Sequence, residues 1–426
     1  MSSRMSKAAK PSTARPPGEA EGMARGLWHV AMGALALMPV GMAIAHRSSP
    51  VFLGVAAVSA LLAVMVEGGL PDFIGEARAR LATPLGMTGA AFLAWCFVSI
   101  GWSEFPAISL HAFGEFWLSV LFAFVLAVVL PARMSRRAFW LLALSCAIAA
   151  IMMMIELGTG MALRRALGVR PDIFIFNRPM LTLMVLLPVL AAFLLRQDRL
   201  GRACAGGLAV LVAVAIARSE SGAAFVGLWA VIAVFAASCL APRLVALAAA
   251  IAFVAVMALA PFLGTIGDKL IPDAVHERLA DDHSRDRIDI WLSFGDAIRQ
   301  DPVLGGGFGI SPLMDRTSVA DRVAPQHRTL LGVGHPHNAA IQIWAELGIV
   351  GAVLTLMIIL QTLRTIARQK RLVAAASLAL MAGTTAVALV GHGAWQGWWA
   401  ASVGAAIVWL LAARAMGLQT QVETTR

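Results

Sequence analysis

Charge is scarce in this 426-residue chain: only 14% of it is Asp, Glu, Lys or Arg, against 59% hydrophobic residues and a mean hydropathy of +0.80. That balance excludes an ordinary soluble domain and makes lipid the expected solvent for most of the chain. Cysteine is scarce too. Cys96, Cys146, Cys204 and Cys239 stand in or beside apolar runs, with the spacing of neither a metal cluster nor a disulfide framework. The glycine run between Pro302 and Gly309 lacks the Gly-Lys-Ser/Thr ending of a P-loop, which removes that route to ATP. His335 and His337 are close but have no third ligand at a defined spacing, so neither a metal nor a cofactor is expected. The formal charge of +10 suits nucleic acid at first sight, yet its arginines sit in short gaps between apolar runs, where retention on the cytoplasmic side of a membrane explains them. Nucleic acid is not an expected partner.

What remains is a series of apolar runs long enough to cross about 30 Å of hydrocarbon. They fall at 26–45, 50–66, 84–102, 112–130, 138–156, 178–195, 203–218, 222–239, 244–262, 338–361, 371–391 and 395–413. This predicts an all-α polytopic membrane protein of about 12 transmembrane helices. The expected organisation is a disordered tail over 1–25, nine spans over 26–262, a large polar loop over 263–337, three spans over 338–413 and a tail over 414–426. Arg78 and Arg80, Arg133, Arg136 and Arg137, Arg196, Arg199 and Arg202, Arg243, and Arg364, Arg368, Lys370 and Arg371 fall in every second gap. The positive-inside rule makes that side cytoplasmic, places both termini inside and puts the 263–337 loop outside. Arg164, Arg165 and Arg170 break the pattern on the outer side, where they can attract a phosphate-bearing ligand.

The chemistry-bearing residues cluster on the outer side. His337 stands where the long loop re-enters an apolar helix, with Asn338 opening that helix. Gly348 and Gly351 follow at eleven and fourteen residues, on the same helical face within about 40°, so they are expected to let a second helix approach below the histidine. A cap histidine above a small-residue seam accounts for the same spacing. His335 is a second ligand-facing candidate, although Pro336 can equally be what sets the entry geometry. Arg218 follows an apolar run at the outer edge and can hold phosphate through fixed donors, pair with Glu220, or snorkel to headgroups. Arg287, with Arg285 as its competitor, begins an amphipathic stretch over 287–300 expected to lie along the interface. Trp344, Trp395, Trp398 and Trp399 suit either sugar stacking or an interfacial belt, and Glu156 and Asn177-Arg178-Pro179 can line a polar cavity.

His337-Asn338, nine residues, Gly348, two residues, Gly351 resembles the signature of the O-antigen ligases within the bacterial O-antigen ligase and polymerase superfamily. The long loop before it, Arg287-Ile-Asp-Ile-Trp291 and Pro302-Val-Leu-Gly-Gly-Gly-Phe-Gly309 are similar to that family as well. The resemblance implies a GT-C-like glycosyltransferase of the bacterial inner membrane with a periplasmic active site. It also implies an undecaprenyl-diphosphate-linked glycan donor, a lipid A-core or glycan acceptor, and no nucleotide sugar or obligatory metal. His337 would activate or position the acceptor; Arg218 and Arg287 would hold the carrier diphosphate, with Arg285, Asn338 and His335 as further substrate-binding candidates. Arg218 is followed by Ser-Glu-Ser-Gly, not by the arginine, three residues, leucine pattern of many ligases. A Wzy-like polymerase is the near alternative; a lipid or glycan transporter and a noncatalytic scaffold are the alternatives from other classes.

Overall fold

The structure, a computed structural model, describes residues 17–272, 284–391 and 393–424. All regular structure among the described residues is helical, and twelve helices are long and apolar enough to cross a membrane. The N-terminal half contains α1 (Pro17–Ile44), α2 (Ser49–Val66), the short α3 (Leu70–Leu81), α4 (Pro84–Ser99), α5 (Pro106–Val129), α6 (Arg136–Gly158), the five-residue α7 (Ala162–Ala166) and α8 (Asn177–Leu194). Next come α9 (Arg199–Arg218), α10 (Gly222–Leu240), α11 (Pro242–Leu259), α12 (Leu263–Leu270) and α13 (Ser284–Gln300). Two short helices, α14 (Ser318–Arg322) and α15 (Pro325–Arg328), precede α16 (Ala339–Ile366), α17 (Arg371–Val390) and α18 (Gly397–Thr424).

Local chemistry explains many of the starts. Proline occupies the first turn of α2, α3, α4, α5 and α11, where its missing N–H costs no helical bond. Thr83, Ser135, Asp198 and Ser221 cap α4, α6, α9 and α10 through side-chain oxygens. Some helices run beyond the apolar stretch that marks them in the sequence. α1 takes in residues 17–25, α18 takes in residues 414–424, and the span expected at 244–262 continues through a 3-10 turn into α12.

α8 is the centre of the bundle. Almost all of its side chains from Pro179 to Leu194 are buried, and it packs against α1, α6, α9, α10, α17 and α18. Gly227 of α10 and Gly383 of α17 permit this closeness, because a Cβ there would come within 2.4 and 3.2 Å of the Met184 sulfur. Alternate connections gather at opposite ends. At one, Arg133 pairs with Glu67 and Arg196 reaches the Ala413 carbonyl. At the other, the 45–48 turn, the 159–177 connection, the 219–221 turn, residues 284–337 and residues 391 and 393–396 meet through the contacts described below.

The long polar segment is not a loose excursion. Phe294, Ile298, Phe308, Ile310, Met314 and Leu331 form a second hydrophobic core with α4, α16 and Trp395. α13, the amphipathic helix expected over 287–300, therefore buries its apolar face in protein.

Candidate functional site

His337 sits between buried Pro336 and buried Asn338 in a left-handed conformation, φ 51°. That conformation is unusual for a residue with a Cβ and points to a position fixed by its surroundings. Its Nδ1 lies 2.9 Å from the Gly391 carbonyl oxygen. A carbonyl can only accept, so Nδ1 carries the proton and the neutral ring keeps a lone pair on Nε2. His335 has the opposite arrangement: its Nδ1 accepts from the His337 backbone N–H at 3.2 Å, which leaves Nε2–H as the donor of its neutral ring. The two rings stand 4.2 Å apart, tilted by 55°. Of the doublet, His337 thus keeps an acceptor on Nε2, while His335 is fixed by its contact with the His337 backbone.

Asn338 is the N-cap of α16. Its Oδ1 accepts from the Ala340 and Ile341 amides at 3.0 and 3.3 Å, so its carbonyl is committed to the helix and only its NH2 remains for a ligand. Two turns further on lies a residue that the sequence reading passed over. Glu346 is fully buried and accepts from Gly309 N, from Ser311 N and Oγ, from Gln342 Nε2 and from Trp395 Nε1. Gln342 in turn accepts from Ala394 N at 2.9 Å. This network ties the glycine segment and the 391–396 turn to α16, and so holds the Gly391 carbonyl that fixes the His337 ring. The visible signal was a Gln and Glu at i and i+4 inside an apolar span, where an ionisable group has to have a reason.

The role expected for Gly348 and Gly351 needs correction. Gly348 breaks α16 at φ 61°, ψ −162°, and His337 lies outside the helix, so a shared helical face does not exist. The neighbour that approaches Gly348 is the glycine segment, not a second helix: a Cβ there would lie 2.1 Å from the Val303 carbonyl oxygen. The carbonyls and amides freed by the break are taken up by Gly306 N to Ala345 O, Gly307 N to Glu346 O and Ile349 N to Pro302 O, each at 2.9 Å. Gly351 faces its own Leu347 side chain.

The arginines fall into two groups. Arg287 stands one turn before Trp291, whose Nε1 donates to the Pro336 carbonyl at 3.0 Å, so α13 is anchored directly beside His337. Arg218 is the exposed last residue of α9. The turn after it leads into α10, where Ala223 lies against Gly391, 3.2 Å from the position of a Cβ on that glycine. The elements bearing Arg287 and Arg218 therefore touch the two segments that flank the His337 ring. Arg285 is otherwise engaged, with Asp268 at 3.0 Å and Asp289 at 3.3 Å; Asp289, then Asp268, raise its proton affinity further.

Other candidates prove to be fastenings. Glu156 accepts from the Leu163 and Arg164 amides. Arg164 is buried and donates to the Ala43 and Ile44 carbonyls at 2.9 and 3.0 Å, satisfying the C-terminal end of α1. Trp395 and Trp344 spend their indole N–H groups on Glu346 and on the Met257 carbonyl. Asp296 fastens the outer segment: burial opposes its ionisation, but the Ala324 amide, His327 and Arg299 outweigh burial and hold its carboxyl below the ordinary aspartate range.

Arg178 does line a cavity, of about 540 Å³, together with Arg47, Glu115, Gln396 and Trp398. Beside it, burial and then Arg178, Arg47, Arg164 and Arg170 lower the proton affinity of His46. The 391–396 turn spans both places: Gly391 holds His337 at one end and Gln396 lines the cavity at the other.

The fold defines a polytopic membrane protein, and the candidate site around His337 stands at one end of its helix bundle. Residues 207–356, from within α9 to within α16, match the family model described as O-antigen ligase, and this interval holds Arg218, α13 and His337. The chain is 26% identical over 321 residues to a candidate polysaccharide ligase of Rickettsia felis, covering 74% of this chain and 77% of that protein. Both likenesses point to the O-antigen ligase and polymerase superfamily, and so to glycan handling at a membrane.

Proposed function

We propose that this protein is a glycosyltransferase of the bacterial inner membrane, GT-C-like, that moves a glycan from undecaprenyl diphosphate to a lipid A-core acceptor at the periplasmic face. The orientation rests on the arginines that occupy alternate gaps, which set the opposite end of the bundle and both termini in the cytoplasm. The observation that carries the reading is the Nδ1–H of His337 on the Gly391 carbonyl, since it turns a free Nε2 lone pair towards proton removal.

In the proposed step an acceptor hydroxyl oxygen attacks the anomeric carbon while the bond from that carbon to the diphosphate oxygen breaks. The hydroxyl proton passes to His337 Nε2, and the electron pair of the broken bond leaves on the diphosphate. Arg218 and Arg287 stabilise the charge that grows there, Asn338 presents an NH2 to the substrates, and His335 stands beside them as a further substrate-binding candidate. Diphosphate is a good leaving group without a metal. A single displacement inverts the anomeric centre. Arg285, held by two aspartates, is a weaker partner for the diphosphate than Arg287.

The departure at Gly222, where many ligases have leucine, favours a second reading, extension of a carrier-linked glycan by the same donor chemistry. Reconstitution with a defined undecaprenyl-diphosphate-linked glycan and separate acceptors, followed by mass analysis, decides. A glycan joined to lipid A-core with inverted linkage is the expected product; a lengthened glycan on the carrier identifies a polymerase. Donor moved across a sealed bilayer with no new glycosidic bond rejects both.

A further inference from the structure

We propose that the cavity between α2, α5, α8 and α18 binds the phosphate headgroup of a second lipid, separate from the donor beside His337. It carries two guanidinium groups that pair with no anion among the described residues. Arg178 stacks over the Trp398 ring at 5.4 Å and its Nε is buried with no hydrogen-bond partner; Arg47 is exposed, and no ion pair joins it to another described residue. Their neighbours are satisfied: Arg164 by the carbonyls that end α1, and Arg170 by Asp172 at 2.8 Å. The carboxylate on the cavity wall, Glu115, is turned to His111 at 3.3 Å. Two unpaired guanidiniums beside a histidine whose proton they repel call for an anion with several acceptor oxygens, and a phosphate group supplies them.

The opposite wall names the rest of the ligand. Val51 and Leu118 line the cavity while 65% and 47% exposed, on the outer surfaces of two helices that are long and apolar enough to span a bilayer. Such a wall faces acyl chains, so the phosphate enters attached to a lipid. Because Gly391 holds His337 and Gln396, five residues later, lines this cavity, two lipid headgroups can lie near one another. Identifying the second lipid as the glycan acceptor rests on the proposed transfer; the phosphate-lipid site does not.

The test is native mass spectrometry of the purified full chain with phosphatidic acid, phosphatidylcholine and undecaprenyl diphosphate. Wild type should retain one phosphatidic acid in preference to phosphatidylcholine, and Arg47→Gln/Arg178→Gln should weaken that retention about tenfold or more. Arg243→Gln, at the far end of the bundle, should retain it as wild type does. Equal retention in the double variant overturns the site. In wild type, undecaprenyl diphosphate should add to form a ternary complex; displacement of phosphatidic acid would instead assign the cavity to the donor and overturn the second lipid. Millimolar inorganic phosphate should not displace the lipid, and displacement would reject the lipid requirement. None of these readings depends on glycan transfer, so a protein that transfers nothing can still pass them.

Discussion

Glu346→Gln is the most demanding perturbation of the site, because it preserves shape and removes only acceptor capacity. Oε1 takes donors from Ser311 and Gln342, and Oε2 takes the Gly309 amide and the Trp395 indole N–H. An amide has one oxygen, so its NH2 must face one of these pairs. Ser311 Oγ and a flipped Gln342 can turn an acceptor towards the NH2, but the Gly309 and Trp395 N–H groups cannot. Facing Ser311 and Gln342, the amide still meets the Ser311 backbone N–H, and a flipped Gln342 takes its oxygen away from the Ala394 amide. One or two buried donors are left unsatisfied, at about 1–3 kcal/mol each, for a total of about 1–6 kcal/mol. The cost falls on the contacts that hold the glycine segment and the 391–396 turn, and the His337 ring loses its fixed carbonyl as a result. Hydrogen exchange in detergent should show faster exchange over 305–311 and 391–396, with α8 unchanged as an internal reference. The variant should also melt lower and transfer glycan more slowly. Wild-type exchange in both segments, with wild-type melting, would refute the assignment of Glu346 as the anchor of the turn.

Further outcomes follow from the same geometry. Gly348→Ala places a Cβ against the Val303 carbonyl in a conformation reserved for glycine, which should cost about 2–5 kcal/mol and expose the 302–311 segment to limited proteolysis; an unaltered cleavage pattern contradicts the kink. Arg287→Ala should weaken binding of undecaprenyl diphosphate in a direct binding assay, whereas Arg285→Ala, whose partners are Asp268 and Asp289, should leave it nearly unchanged; equal losses would put the two residues in one role. Asp296 has a depressed proton affinity in the folded chain, so its contribution is complete above the ordinary aspartate value, near about pH 4, and is lost as pH falls through the lower folded value. Protection factors over 318–328 should therefore drop in wild type as the pH falls below about 4; an equal drop in Asp296→Asn would assign the effect to another group.

The number of spans was legible because length and hydropathy of an apolar run are local properties, and twelve runs gave twelve helices long and apolar enough to cross a membrane among the described residues. The amphipathic period over 287–300 likewise foretold α13. The surroundings of these elements were not legible. Nothing near His337 in sequence indicates that its ring is held by a carbonyl 54 residues later. The glycines at 348 and 351 read as a helix-packing seam because periodicity assumes an unbroken helix; the break is visible only once the Val303 carbonyl is found against Gly348. Arg164 broke the charge rule for a tertiary reason, since the open carbonyls of α1 claim it. Glu346 was the detectable omission: a carboxylate inside an apolar span carries its own warning, and Gln342 one turn earlier supplies its first partner.

The account turns on the free Nε2 of His337, and single-turnover transfer by His337→Asn measures it most directly when donor occupancy is determined on the same sample. The asparagine amide can still donate to the Gly391 carbonyl, but nothing replaces the proton acceptor. The expected result is donor binding within about twofold of wild type and transfer reduced by about 100-fold or more. Transfer within about threefold of wild type at full donor occupancy would contradict proton removal by this histidine.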